Sequence, residues 1–262
     1  MADLKKLTVD VQKRPRITLD ELRSYAGKAN HFATLGYYWR PFLDQVWAAL
    51  CESKPSNAPA GYVWVKQVRS SLRWLLAFSN KEVGALRREW RYDYYSNYGV
   101  KVVIYLDASP FGMGGMLEED GVITSWFWSE LDANDVMIHK YAIGDHKGQQ
   151  VWESLVALVA VKLWAPRWVG RQTTITMKGD NMSALAMSAK LKNKVSSLIN
   201  REMSLAMSSS SLSPRFVEHV PGAFNYSPDV LSRKRAPSLR AAAALGLLKN
   251  IQAFPSAHDW AD

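Results

Sequence analysis

The feature that most constrains this chain is the stretch VVIYLDASPFGMGGML, residues 102–117. Five apolar or aromatic residues, Val102 to Leu106, lead directly into Asp107, and glycines and a second apolar run follow. Such runs, bounded by glycine, predict strands. A carboxylate that ends a core strand needs a compensating partner, because burial disfavours its charged form. The end of this strand is therefore the first candidate for a functional site.

From residue 101 onward the hydrophobic period changes from helical to extended. The order βββαβαβα that follows predicts a mixed α/β domain. Residues 129–148 show no clean period and are predicted to be a long loop or a short insertion. The predicted elements are strands at 101–107, 112–118 and 122–128, a helix at 149–165, a strand at 173–180, helix over 181–206, a linker at 208–213, a strand at 214–220 and a helix start at 226–234.

The residues before 101 predict a mainly helical region. TLDE, Thr18 to Glu21, is a capping box, in which a hydroxyl is followed three residues later by a glutamate. The pattern predicts helix over 17–50 with a break at Pro41, a loop at 53–61, a helix at 62–79 and a connection at 90–98. The sequence is therefore predicted to divide into three regions. Residues 1–100 are helical and basic, residues 101–236 form the α/β domain, and residues 237–262 are a tail with a short apolar helix at 239–251.

The formal net charge of +9 is concentrated in the first region. Residues 1–100 hold 16 Lys and Arg against 9 Asp and Glu, whereas residues 101–236 hold 15 against 13. A basic region beside a nearly neutral one is typical of a protein that binds a polyanion. A solvated basic surface is the alternative interpretation.

The chain has one cysteine, Cys51, which excludes an internal disulfide and a cysteine-based zinc site. No apolar run reaches the length of a membrane span, and no signal peptide is visible. We therefore expect an intracellular protein, cytoplasmic or nuclear rather than secreted, with the compartment otherwise open.

Four acids stand at positions that a folded α/β sheet could bring together. Asp107 and Asp180 each follow an apolar strand, Glu153 lies early in a long helix, and Asp229 opens the last helix. Parallel neighbouring strands end at the same edge of a sheet, where ligands bind. Clustered carboxylates repel one another unless a cation lies among them, and Mg²⁺ prefers such oxygen donors. Two such ions can activate a water and stabilise a leaving phosphodiester oxygen.

Other patterns carry weaker signals. His139 and His146 flank Asp145, but a spacing of seven residues is not a known chelating pattern, and ordinary surface histidines are the favoured interpretation. The GMGG run at 112–115 lacks the spacing of a nucleotide-binding loop and predicts close backbone packing. Trp152, on the long helix, is predicted to belong to the core.

Four motifs surround the four acids: YLDASPFGMGGML, WESLVALVAVKLW, ITMKGDNMSAL and VEHVPGAFNYSPDVLSRK. In the last of these, which is the most specific, His219 lies ten residues and Asn225 four residues before Asp229. With these motifs, residues 101–236 resemble the ribonuclease H domain of retroelement reverse transcriptases.

The resemblance implies a ribonuclease H-like mixed sheet with flanking helices and an endonuclease that hydrolyses the RNA strand of RNA–DNA hybrids. It implies that Asp107, Glu153, Asp180 and Asp229 bind two Mg²⁺ ions, with Mn²⁺ as an alternative. It also implies that His219 assists proton transfer or product release. Asn225, Asn181 and Ser109 are the expected substrate-binding residues.

Residues 17–98 resemble the thumb and connection that precede this domain. The polymerase metal motif Tyr-x-Asp-Asp is absent from the sequence, so we expect no polymerase activity, and a polymerase domain would come from the same precursor or another chain. Two alternatives remain open. One is a domesticated, catalytically silent structural or interaction subunit of a larger assembly. The other is an integrase-type strand transferase, which is disfavoured because Glu153 precedes Asp180 and His219 is present.

Overall fold

The computed structural model describes residues 2–51, 57–83, 99–169, 173–191, 197–210, 216–234 and 252–253. The chain divides into two compact units, residues 1–89 and 90–262. The predicted connection at 90–98 and the predicted tail helix at 239–251 lie outside the described residues. Within the described ranges, no helix has both the length and the apolarity that crossing a bilayer requires.

The first unit is mainly helical, as predicted. The predicted capping box forms: the Thr18 hydroxyl accepts from the Glu21 backbone N–H at 3.1 Å, and the Glu21 carboxylate accepts from the Thr18 N–H. Its elements are α1 (Ala2–Gln12), β1 (Arg16–Thr18), α2 (Leu19–Leu35), a 3₁₀ segment (Tyr37–Leu43), α3 (Asp44–Cys51), β2 (Tyr62–Trp64) and α4 (Val65–Ser79).

Two features of this unit differ from the sequence prediction. The helix predicted at 62–79 begins only at Val65, because Tyr62–Trp64 pairs antiparallel with Arg16–Thr18. Helix α1 was not predicted at all. Its Thr8 hydroxyl is buried and lies 2.9 Å from the Tyr25 hydroxyl of α2, so packing against another helix supports this element.

The second unit is built on one mixed sheet whose strand order is β7-β6-β3-β4-β5-β8. β3 pairs antiparallel with β4, which pairs antiparallel with β5, whereas β6 and β7 follow parallel to β3 on its other side. The strands are β3 (Val100–Ser109), β4 (Gly112–Glu119), β5 (Val122–Glu130), β6 (Thr173–Gly179), β7 (Phe216–His219) and β8 (Gln252–Ala253).

Helices flank this sheet, so the fold is the ribonuclease H-like mixed α/β fold predicted from the sequence. The long helix packs on β3, and Trp152 is fully buried in the core, as predicted. Trp164 of the same helix is also fully buried. The last helix packs on β3 and β4. The helices are α5 (Ala133–His139), α6 (Gln149–Trp164), α7 (Met182–Lys190), α8 (Ser197–Ser210) and α9 (Tyr226–Ser232).

Two predictions in this unit were wrong in part. The segment 129–148 is not only loop: the Asp132 side chain accepts from the backbone of Asn134 and Asp135 in a capping box that starts α5. The predicted linker at 208–213 is helical up to Ser210, because buried Met203 and Met207 anchor α8 and override the weak helix propensity of serine. Residues 192–196, which separate α7 from α8, lie outside the described part of the chain.

The glycines of the GMGG run allow the close packing that the sequence predicts. A Cβ atom on Gly114 would lie 2.5 Å from Leu231 Cβ and 2.7 Å from the Pro228 carbonyl oxygen. Gly114 pairs in register with Asp107 on β3. The absence of a side chain at Gly114 therefore lets α9 lie directly against β4, beside Asp107 on β3.

We expect Gly114→Ala to lower the free energy of unfolding by roughly 1–3 kcal/mol, because the added methyl group must displace backbone atoms of α9. The matched control is Gly27→Ala in α2, where an added Cβ meets no atom within 4 Å. That change is expected to stabilise the chain by about 1 kcal/mol through helix propensity. Urea-induced unfolding of both variants checks the pair, and equal effects would contradict the packing argument.

Candidate metal centre

Three predicted acids converge at one edge of the sheet. Asp107, Glu153 and Asp180 each present a carboxylate oxygen, and these oxygens all lie within 4.8 Å of one another. Asp107 lies near the end of β3, Asp180 directly follows β6, and Glu153 lies one turn into α6. Because β3 and β6 are parallel neighbours, their carboxyl ends meet at the same edge. Asp107 and Glu153 are buried, whereas Asp180 is exposed.

The Asp107 carboxylate is held by the last helix. Ser232 Oγ donates a hydrogen bond to Asp107 Oδ2 at 2.6 Å, and Ser109 Oγ donates to the Ser232 carbonyl at 2.7 Å. All three side chains are buried. The sequence prediction did not include Ser232, although it lies in the DVLSRK motif that carries the family resemblance.

The Glu153 carboxylate is held by its own helix. Gln149 Nε2 donates to Glu153 Oε1 at 2.8 Å and to the Ala108 carbonyl at 2.6 Å. Gln149 therefore ties the start of α6 to the end of β3. The sequence prediction also missed Gln149, for which the four-residue spacing to Glu153 on one helix face was the available signal.

Burial and mutual repulsion make the two buried carboxyls weak acids. Burial above all, and then the negative charges of Asp180 and Asp229, raise the pKa of Asp107 to about 7, against the opposing effect of the Ser232 hydrogen bond. Burial, followed by the charges of Asp107 and Asp180, raises the pKa of Glu153 to about 9.

A divalent cation fits this donor set. Three carboxylate oxygens from separate residues are the ligands that Mg²⁺ and Mn²⁺ accept, and the exposed Asp180 leaves one side of the group open to water. A bound cation would also remove the repulsion that raises both pKa values.

Asp229, the fourth predicted ligand, lies outside this three-carboxylate group. Its Oδ1 accepts a hydrogen bond from Arg233 Nε at 2.6 Å, one turn later on α9. Its charge nevertheless contributes to the raised pKa of Asp107, so it belongs to the same electrostatic environment. Its role as a metal ligand stays a prediction.

The predicted proton-transfer and substrate residues surround the same edge. His219 is exposed at the end of β7, where it pairs in register with Gly179. Asn225 is buried, and its Nδ2 donates to the Leu106 carbonyl at 2.9 Å. Asn181 Oδ1 accepts from the Ser183 backbone N–H at 3.1 Å at the start of α7. These contacts position the backbone, and the substrate roles of Asn225, Asn181 and Ser109 stay predictions.

The histidines of the insertion do not form a metal group among the described residues. The His139 ring packs edge-on against Trp152, with 5.6 Å between ring centroids, and burial lowers its pKa. Asp145 Oδ1 accepts from the Lys147 backbone N–H. His139 is thus partly buried against the core and is not a surface histidine, whereas His146 is exposed.

The chain is similar to two solved structures. RNase H1 from the halophilic archaeon Halobacterium salinarum NRC-1 is 16% identical, with a TM-score of 0.35, over 52% of this chain and 98% of that chain. A foamy viral protease-reverse transcriptase dRH, in complex with double-stranded DNA, is 13% identical, with a TM-score of 0.30, over 79% of this chain and 35% of that chain. No family model and no curated protein matches the sequence. The assignment of the fold rests on the strand order and helix positions described above.

The raised pKa values of Asp107 and Glu153 predict that the metal-free protein loses stability as pH rises. Both carboxyls are more readily protonated in the folded than in the unfolded chain, so their contribution is complete below about pH 4 and is lost as pH passes their folded pKa values of about 7 and 9. In a chelator, the free energy of unfolding should fall between pH 5 and pH 9.

Urea unfolding at several pH values checks this, with Asp107→Asn as the control. The substitution removes one titrating group and one negative charge beside Glu153, so its profile should be flatter than that of the wild type. Added Mg²⁺ should stabilise the wild type most at high pH, where the carboxyls are ionised. A wild-type profile as flat as that of the variant would contradict the electrostatic description of the site.

Proposed function

We propose that this chain is a divalent-cation-dependent endonuclease that hydrolyses the RNA strand of RNA–DNA hybrids and derives from a retroelement reverse transcriptase. The observation that carries the proposal is the convergence of Asp107, Glu153 and Asp180 at the carboxyl edge of a ribonuclease H-like sheet. Energetically, two buried carboxylates and a third within 4.8 Å are unfavourable without a cation. An anionic phosphodiester is a substrate that such a cation site can accept.

Asp107, Glu153 and Asp180, with Asp229 beside them, would hold two Mg²⁺ ions, with Mn²⁺ as the alternative. Cations bound there would activate a water and stabilise the leaving oxygen of the phosphodiester. Ser232 and Gln149 keep the buried carboxylates in place through their hydrogen bonds. Asp180 is exposed and so faces the side from which a substrate arrives.

His219 is suited to handle a proton at this edge. It is exposed, and it lies in register with Gly179, the residue before Asp180. Its ring nitrogens are proposed to take part in leaving-group protonation or product release. Selectivity for RNA would come from contacts to successive 2′-hydroxyl groups. Asn225, Asn181 and Ser109 are the residues proposed to bind the substrate.

The basic first unit is proposed to hold the duplex. A groove on α4 is lined by two arginines and one acid, Glu82, among other residues, including Trp74 and Asn80. Arg69 and Arg73 are exposed and lie one helical turn apart, so both guanidinium groups lie on one face of the helix. Paired arginines at this spacing suit the phosphates of a nucleic-acid backbone.

The primary test is hybrid cleavage. We expect Mg²⁺-dependent cleavage of the RNA strand by the wild type and a loss of at least roughly 100-fold in kcat for Asp107→Asn, because one ligand charge is removed from the reacting centre. The control is Asp20→Asn, which alters an acid of α2 whose side chain is 91% exposed. Its activity should equal that of the wild type.

Activity that survives Asp107→Asn would contradict the mechanism. Wild-type chain that binds Mg²⁺ but cuts no hybrid would favour the alternative, a catalytically silent structural or interaction subunit. Thermal unfolding with and without Mg²⁺ measures binding of the ion. It distinguishes a protein that has lost the metal site from one that binds the metal but does not cleave the hybrid.

The groove on α4 is tested by salt dependence. Arg69→Ala with Arg73→Ala should weaken hybrid binding and reduce the slope of log K against log[salt] by about 2, since two phosphate contacts are removed. Arg23→Ala on α2, where Arg23 pairs with Asp20, is the control. The slope is measured by fluorescence anisotropy. An unchanged slope in the double variant would show that the groove does not contact the hybrid.

A further inference from the structure

Two exposed aromatic residues flank the segment that enters the last helix. Phe224 is 82% exposed, and Tyr226, the first residue of α9, is 54% exposed. Single exposed apolar residues are ordinary on protein surfaces. These two are separated by one residue, Asn225, which is buried. The two rings therefore lie in solvent on either side of the buried Asn225.

This segment lies against the candidate metal centre. A Cβ atom on Gly222 would lie 3.9 Å from Asp180 Oδ2, which is van der Waals contact distance. Asn225 Nδ2 donates to the Leu106 carbonyl, the residue that precedes Asp107. The Asn225 backbone N–H donates to the carbonyls of Pro221 and Gly222 at 3.2 and 3.1 Å. The backbone that carries the two rings thus lies near Asp180 and beside the strand that contains Asp107.

A cation site next to exposed aromatic rings is suited to a ligand that has both a phosphate group and an aromatic ring. A nucleotide strand has both, because the phosphate can reach the cations while a base stacks on a ring. Bases inside a duplex are already stacked on their neighbours and present only their edges in the grooves. Away from the ends of a duplex, only an unpaired nucleotide offers a free base face to Phe224 or Tyr226.

We propose that Phe224 and Tyr226 bind an unpaired nucleotide next to the cleaved bond, so that the enzyme prefers hybrids whose RNA strand continues as a single strand. The inference rests on the proposed function and specifies its substrate as the border between hybrid and single strand. It adds binding, not chemistry, so the two residues are expected to act on KM and to leave kcat nearly unchanged.

The test compares Mg²⁺-dependent cleavage of a blunt hybrid with that of the same hybrid bearing a single-stranded RNA extension. Wild-type enzyme should show a lower KM for the extended substrate. Phe224→Ala should raise that KM by roughly 5- to 100-fold, the range for loss of one base–aromatic stack, and should leave the blunt substrate unaffected. Phe224→Trp should retain the preference, because a larger ring also stacks.

Val122→Ala is the control. Val122 is 63% exposed at the start of β5, and it pairs in register with Glu119, which lies opposite Val102 at the far end of β3 from Asp107. Thermal unfolding should be unchanged in Phe224→Ala and Val122→Ala alike, since exposed side chains contribute little to stability.

Two outcomes overturn the inference while leaving the proposed function intact. One is wild-type cleavage with equal KM for blunt and extended hybrids, and the other is an equal KM increase on both substrates in Phe224→Ala. If the wild type cuts neither hybrid, the proposed function fails. Anisotropy of both hybrids with Asp107→Asn and with Asp107→Asn/Phe224→Ala then tests the inference by binding alone, and equal affinities would overturn it.

Discussion

The second unit depends on one constraint. The carboxylates of Asp107 and Glu153 are buried within a few ångströms of each other and of a third, that of Asp180. Burial alone disfavours the charged forms of Asp107 and Glu153, and their proximity adds repulsion that raises both pKa values. Such an arrangement costs stability in the metal-free chain and persists only because surrounding contacts hold it. An acid pair of this kind is typical of a site built for a cation rather than of a core built for stability.

The holding contacts come from three different elements. Ser232 reaches Asp107 from the last helix, Gln149 connects Glu153 to the end of β3, and Asn225 donates to the carbonyl that precedes Asp107. The last helix can approach this closely because Gly114 has no side chain. Residues that are far apart along the chain therefore hold the carboxylates together.

The segment before the last helix combines rigidity with exposure. Its buried Asn225 is fixed to the sheet, while its neighbours Phe224 and Tyr226 stand in solvent. A surface that joins fixed backbone, exposed rings and nearby acidic groups is suited to recognising a ligand with little loss of conformational entropy on binding. In the first unit the arginines of α4 offer a different chemistry, suited to backbone phosphates without base recognition.

The sequence by itself determined strands β3 to β7, the long helix, the capping box at Thr18 and the candidate acids, because hydrophobic period and strand-end position are local properties. It did not reveal α1, the strand at Tyr62–Trp64 or the helix in 129–148, whose signals are short or depend on a partner. Ser232 and Gln149 were missed because their importance lies in what they contact. Only the tertiary structure decided which acids meet, since side chains from separate strands and helices become neighbours through sheet pairing and helix packing.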